Sequence, residues 1–147
     1  MRTLMENASM SVEAFFRRFE LNNNKSDFSA AVSQFAGTFM AAGPQGAQCV
    51  QASAFALALP KRKQLFKSFG CHSMQLVSVD VKSLGARYSM AHTRWKMNFA
   101  DGDLSTKEML VDSTFIVDTT EAEFRIVLYL AHQDVMAMLK ERGQTNA

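Results

Sequence analysis

Apolar residues recur along this chain at two different periods, and the change from one to the other falls near Cys71. Before it the period is helical. Val12, Phe15, Phe16 and Phe19 stand at i, i+3, i+4 and i+7 and form one apolar stripe. Ser11 can cap this first helix, and Asn22-Asn23-Asn24 ends it, because asparagine competes for backbone hydrogen bonds and tolerates the left-handed conformation. A second helix is predicted next, capped by Ser26 or Asp27, with Phe28, Ala31, Val32 and Phe35 on one face until Gly37 breaks the spacing. Residues 38–42, the Gly43-Pro44-Gln45-Gly46 turn and residues 47–51 read as a small hairpin. Ser53 can cap a short helix that stops at Pro60. Pro60 then suits the first turn of another helix, with Leu65, Phe66 and Phe69 on one face and Gly70 at its end.

From Cys71 the period is two. Val77, Val79 and Val81 alternate with Ser78, Asp80 and Lys82 in a strand reaching about Ser83, and Leu84-Gly85 turns the chain. Long strands are predicted over residues 87–99 and 104–117, joined by a tight hairpin at Asp101-Gly102. A turn over residues 118–123 leads to a last strand over 124–132. In the first long strand the apolar parity changes from Tyr88 and Met90 to Trp95, Met97 and Phe99, which predicts a bulge near residues 92–94. Asp134 is placed to cap a C-terminal helix that buries Val135, Met138 and Leu139 and closes at Gly143. Helices followed by an antiparallel meander make an α+β layered domain.

Composition narrows the function classes. The 147 residues fit one domain, 1–147, with an ordered core over about residues 10–143. Hydrophobic and charged shares of 48% and 20% are globular proportions and exclude disorder. A net charge of +2 with no basic stripe argues against nucleic acid as a partner. No apolar run approaches membrane-spanning length, and the N-terminus has no apolar signal segment. Cys49 and Cys71 lack metal spacing, so free thiols in a reducing cytoplasm are expected, with no metal or cofactor motif. Lys61-Arg62-Lys63 reads as a solvated face or as an anion-attracting rim.

Four stretches together carry a resemblance. They are Asp27-Phe28 through Gln34-Phe35-Ala36, the Gly43-Pro44-Gln45-Gly46 turn, Arg94-Trp95-Lys96-Met97, and Phe124-Arg125-Ile126-Val127-Leu128-Tyr129-Leu130-Ala131-His132-Gln133-Asp134. In order and spacing, from about Val12 to Gly143, the chain resembles the nuclear transport factor 2-like superfamily, which includes ketosteroid isomerases and SnoaL-like polyketide cyclases. The resemblance implies a cone-shaped α+β barrel, a curved mixed or antiparallel sheet wrapped around the long first helix. It also implies a mostly apolar cavity at the wide end, and dimerisation through the outer face of the sheet. It implies no single activity, because folds host many functions. Ketosteroid isomerases carry a general-base aspartate immediately before the proline of the turn, where this chain has Gly43. Their helix-one tyrosine falls near Phe19, and their second carboxylic acid near Asp112 or Thr114. That chemistry is therefore not expected here.

Pairing the strands through their turns sorts the side chains. With Asp101-Gly102 centring its hairpin, Trp95 falls opposite Glu108 and Ala91 opposite Asp112; pairing Val117 with Phe124 sets Asp112 opposite Tyr129. One face then holds Trp95, Leu110, Asp112, Thr114, Val127, Tyr129 and Ala131, and is assigned to the cavity. The other holds His92, Val111, Ser113, Phe115, Ile126, Leu128, Leu130 and His132. Phe115, Ile126, Leu128 and Leu130 on it are assigned to a homodimer contact. The expected ligand is a small apolar molecule met by Phe16, Phe19, Trp95, Asp112, Thr114 and Tyr129. Asp112 reads either as a cavity carboxylate with a raised pKa, fit for acid–base work, or as a strand aspartate bonded to a neighbour such as Tyr129. His132 with Asp134 reads as an acid–base pair at the cavity mouth or as a strand-end histidine beside a helix cap, and His92 as a core or interface histidine. Three functions stay open: a small-molecule binder, a cyclase, isomerase or hydratase using Asp112, and a dimeric assembly module with a vestigial cavity.

Overall fold

The computed structural model describes the backbone of residues 4–99 and 109–145 and the side chains of residues 11–99 and 109–142. The chain order is α1 (Leu4–Asn24), α2 (Phe28–Ser33), β1 (Phe35–Gly43), β2 (Gly46–Gln51), α3 (Ala52–Ser68), β3 (Cys71–Ser83), β4 (Tyr88–Phe99), β5 (Met109–Asp118), β6 (Arg125–Ala131) and α4 (Val135–Thr145). The six strands form one sheet in the order β2-β1-β6-β5-β4-β3. Every pairing is antiparallel except β1 with β6, so the sheet is mixed and open at both edges rather than a closed barrel. Helix α1 reaches across much of it. Arg17 Nη1 donates to Leu76 O on β3 (3.0 Å), Phe19 meets Trp95 on β4, Phe16 meets Phe115 on β5, and Phe15 meets Phe124 just before β6. These contacts follow the curve of the sheet around the helix.

The apolar stripe of α1 does what its spacing predicts. Val12, Phe15 and Phe16 are buried, and Phe19 packs against the same core. The left-handed residue beyond its end is Ser26 (φ 61°), not one of the asparagines. Asp27 caps α2 through Ala30 N (3.2 Å). Phe35 opens β1 instead of continuing α2. It pairs with Ile126, whose N–H donates to Gln34 O (2.8 Å), so pairing with β6 overrides the helical spacing. Gln34, nearly inaccessible, donates to Phe15 O (3.1 Å) and accepts from Asn22 Nδ2 (3.1 Å), tying α1 to the start of the sheet.

Helix α3 runs unbroken through Pro60 and starts with Gln51, not Ser53, at its cap. Phe55 before the proline and Phe66 after it both pack on the core, so burial on one face offsets the missing N–H. Lys61-Arg62-Lys63 therefore lies in the middle of a helix rather than its first turn. At the C-terminus Asp134 Oδ1 accepts from Ala137 N (3.0 Å) as a cap, Leu139 is buried, and α4 passes Gly143 to end at Thr145.

The strand register departs from expectation by three residues. Trp95 pairs with Val111, Arg94 with Asp112 and Ala91 with Phe115. Phe115, not Asp112, lies opposite Tyr129. The Asp101-Gly102 turn, Glu108 and the start of the strand expected from residue 104 lie outside the described residues. An odd slip exchanges the faces of a strand. Val111, Ser113, Phe115 and Val117 therefore face inward, and Asp112 and Thr114 face outward with His92 and Arg94. β4 shows no bulge against β5, since the two pair continuously from Tyr88 to Met97. The irregularities lie in β3, between Cys71 and Ser73 and between Leu76 and Ser78, in β1 against β6 between Phe35 and Met40, and in β6, where Ile116 pairs with Leu128 but Val117 with Ile126. Val127 is the extra residue there, which turns Ile126 inward while leaving Tyr129 and Ala131 on the inner face. Phe115 and Ile126, at 2% and 0% exposure, cannot belong to an outer contact surface.

Candidate functional site

Between the C-terminal half of α1, helix α3 and the inner face of the sheet lies a cavity of about 140 Å³. Its walls are mainly rings. Phe19 stands 5.9 Å from Trp95, 5.6 Å from Phe115 and 6.0 Å from Phe35, centroid to centroid. Phe35 meets Phe55 at 4.7 Å, and Tyr129 stacks on Phe115 at 5.0 Å. Each ring arrives on a separate element, and the tilted or edge-on geometries suit the aromatic quadrupole.

The polar groups around these rings are mostly committed. Trp95 Nε1 donates to Thr93 Oγ1 (2.8 Å), which donates to Ser113 O (3.2 Å). Glu20 accepts from Leu76 N (2.6 Å) and lies beside Arg17. Lys63 donates to Asn23 O (2.6 Å) and Asn24 O (3.2 Å), so its charge sits on the negative end of α1. Burial, and then the neighbouring Lys67, lower its pKa. Burial pushes the Cys71 thiol up, which keeps it protonated and unreactive. Lys63 and Cys71 lie close enough to feel one another's charge, and His72 brings an imidazole to the same wall. Ser113 and Tyr129 reach it with hydroxyls that have no side-chain hydrogen bond among the described residues.

Of the residues expected to meet a ligand, Phe19, Trp95 and Tyr129 line this cavity. Phe16 is packed behind it in the core, 4.8 Å from Phe115. Thr114 is on the opposite face, where its hydroxyl shares a 2.7 Å hydrogen bond with His132 Nε2. Asp112 borders the cavity, but its carboxylate accepts from Arg94 Nε (3.0 Å) and Gln133 Nε2 (3.3 Å) on the outer side. The Arg94 hydrogen bond holds its pKa below the usual carboxylate range, opposite to the raised value an acid–base role calls for. His92 lies 3.5 Å from Asp112 and stacks on His132 at 5.3 Å, so the three catalytic candidates form one cluster outside the cavity. Asp134 is not part of it, being the cap of α4 and the acceptor for Gln45 Nε2 (2.9 Å).

A second, open depression of about 740 Å³ lies on the surface between the Gly43–Gly46 turn, α3 and the start of α4. Its walls include Lys61, Arg62, Gln45, Gln133 and Asp134. Sequence reasoning missed Phe35 and Phe55 as cavity walls. Their signal was present, as large aromatics on the core-facing sides of two elements that both precede the meander. Among the described residues no group of three or more His, Cys, Asp and Glu could hold a metal, and no helix is long and apolar enough to cross a membrane.

No family model matches the sequence, and no curated protein matches it. Solved structures do match. An NTF-2 like protein of unknown function from Shewanella oneidensis aligns with a TM-score of 0.66 at 14% identity, covering 83% of this chain and 96% of that one. Aln2 from a Streptomyces species aligns at 0.68 and 8% identity, covering 94% and 97%. The beta subunit of benzoate 1,2-dioxygenase from Burkholderia mallei aligns at 0.63 and 12% identity, covering 94% and 96%. Likeness at such low identity establishes the fold.

Proposed function

Taking the nuclear transport factor 2-like fold as the premise, we propose that this chain is a small-molecule-binding domain that encloses one ring-sized apolar ligand. The observation that carries the reading is the 140 Å³ cavity walled by Phe19, Phe35, Phe55, Trp95, Phe115 and Tyr129. An engineered apolar cavity of about 150 Å³ in another protein takes up benzene. The same size class here fits one six-membered ring. Catalysis is left out of the proposal, because the candidate carboxylate is bound to Arg94 on the other side of the sheet. The free thiols, Cys49 exposed and Cys71 buried, suit the reducing cytoplasm in which we place the protein. Trp95 is the chain's single tryptophan and reports on the cavity directly. Titration with toluene and with phenol should shift its emission saturably, and Ser113→Leu, which fills the cavity, should abolish the response. Unchanged emission with both probes, or a response that survives Ser113→Leu, would sink the reading.

A second reading concerns the outer face. Met40, Leu128, Leu130 and Leu110 lie on that side, three of them at least 36% exposed: Met40 at 40%, Leu110 at 38% and Leu130 at 36%. We read this surface as a homodimer contact formed by Leu128 and Leu130, without the Phe115 and Ile126 expected from the sequence. Sedimentation of the wild type and of Leu130→Glu tests it. A wild type that is monomeric at tens of micromolar discards it.

A further inference from the structure

The aromatic cavity and the open depression share five wall residues: Arg62, Phe66, Tyr129, Ala131 and Val135. The interior is therefore separated from solvent there by a single layer of side chains. That layer is not apolar throughout. Arg62 lies over the Phe66 ring, its guanidinium carbon 5.1 Å from the centroid. Among the described residues neither Arg62 nor its neighbour Lys61 forms an ion pair with a carboxylate. The depression's own carboxylate, Asp134, is occupied by Gln45 Nε2 and by the N–H of Ala137. Tyr129 carries its ring on the cavity side, stacked on Phe115, and its hydroxyl makes no hydrogen bond among the described residues.

Building on the cavity reading, we infer that the ligand is a small aryl anion. Its ring fills the aromatic cavity, and its carboxylate-like head emerges between Phe66 and Tyr129 to meet Arg62 and Lys61. Three features of the wall select this class. A ring inside can send a substituent out through the shared wall. The exit presents two cations without acidic partners among the described residues, and a planar guanidinium matches a carboxylate in two-point geometry. The phenol of Tyr129 can donate to the same head group. An aromatic cage can also hold a cation, but the Glu20 carboxylate in the wall is taken by Leu76 N and lies beside Arg17, while Arg62 at the exit and Lys63 along the wall oppose a cation. The same arrangement gives the Lys61-Arg62-Lys63 cluster a divided role: Lys63 closes the end of α1, while Lys61 and Arg62 face the exit.

The test uses three probes of nearly equal shape: phenylacetate, phenylacetamide and phenethylamine. Each is titrated by calorimetry into wild type, Arg62→Gln and Arg62→Lys at two salt concentrations. Wild type should bind phenylacetate roughly tenfold more tightly than phenylacetamide, the size expected for one charge-assisted hydrogen bond in a partly exposed site, and phenethylamine least. Arg62→Gln should bring the acid-to-amide ratio to about one, Arg62→Lys should restore part of it, and salt should weaken only the acid. Equal affinity for acid and amide in wild type, or a ratio that survives Arg62→Gln, overturns the anion inference and leaves the cavity reading standing. Failure of all three probes to bind at millimolar concentration overturns both.

Discussion

Replacing Phe115 by alanine separates the two possible facings of β5. The ring is 2% exposed and sits against Phe16 at 4.8 Å, Tyr129 at 5.0 Å and Phe19 at 5.6 Å. Truncation of a buried phenylalanine costs about 3–5 kcal/mol, made of lost transfer free energy and a residual cavity. The upper half of that range applies here, because three ring contacts are worth about 0.5–1.5 kcal/mol each beyond area burial. The neighbours are also anchored on α1 and β6 and cannot collapse together into the hole. A loss of about 4 kcal/mol in a chain of this length lowers Tm by roughly 12–16 °C. Urea unfolding followed by Trp95 emission and by circular dichroism, at two protein concentrations, measures it. Leu128→Ala, on the outer face, is the companion. It should cost under about 1 kcal/mol in a monomer, and its cost should depend on protein concentration if that face is covered by a second copy. A Phe115→Ala cost below about 1 kcal/mol, with a concentration dependence, would mean that Phe115 points outward and that the strand register is wrong.

Three further outcomes follow from the same geometry. Asp112 and Asp118 both have pKa values below the usual range, Asp112 through Arg94 and Asp118 through Thr120 and then Arg87. A depressed folded-state pKa stabilises above the unfolded value of about 3.9 and is lost as pH falls through the folded value; Asp112→Asn/Asp118→Asn should therefore flatten the loss of stability below about pH 4, measured as Tm against pH. Ser113→Asp places a carboxyl on the inner face, where burial raises its pKa; its stability should fall as pH rises above about 4, the reverse of Asp112, and a pH-independent Tm difference from wild type would contradict the inward facing. Asp134→Ala removes the cap of α4 and the Gln45 contact and should cost about 0.5–2 kcal/mol by urea unfolding; no measurable loss would show that neither bond stabilises the fold.

The helices and strands were legible in the sequence because their apolar periods are long and consistent. Val12, Phe15, Phe16 and Phe19 are enough to define α1, and Asp134 marks the start of α4. What failed was local punctuation. Gly37 and Pro60 look like breakers, yet β1 runs on through Gly37, where its pairing with β6 is irregular, and burial of Phe55 and Phe66 on one face carries α3 through Pro60. The site was legible in part. Phe19, Trp95 and Tyr129 reached the cavity wall, but Asp112 and Thr114 were assigned to the wrong face by a hairpin centred on Asp101-Gly102. The better signal lay within the strand itself. Met109, Val111, Phe115 and Val117 share one parity and Asp112, Thr114 and Asp118 the other, and that alternation outweighs the turn.

Parity also explains why the fold does not bring an activity with it. Along β4 and β5 every inner position, Ser89 to Met97 and Met109 to Val117 in steps of two, lacks a carboxylate and an imidazole. The ionisable candidates the sequence offers on these strands, His92 and Asp112, occupy the other parity, where Asp112 is bound to Arg94 and lies 3.5 Å from His92. An acid–base enzyme that drew its carboxyl from β5 would need it one residue away, at position 111 or 113, in a setting that raises its pKa. The same one-residue displacement reverses the sign of the pH dependence of stability. Chemistry in this cavity is thus decided by single positions whose neighbours fix the fold regardless, which is why overall shape can match at 8–14% identity while saying nothing about reaction.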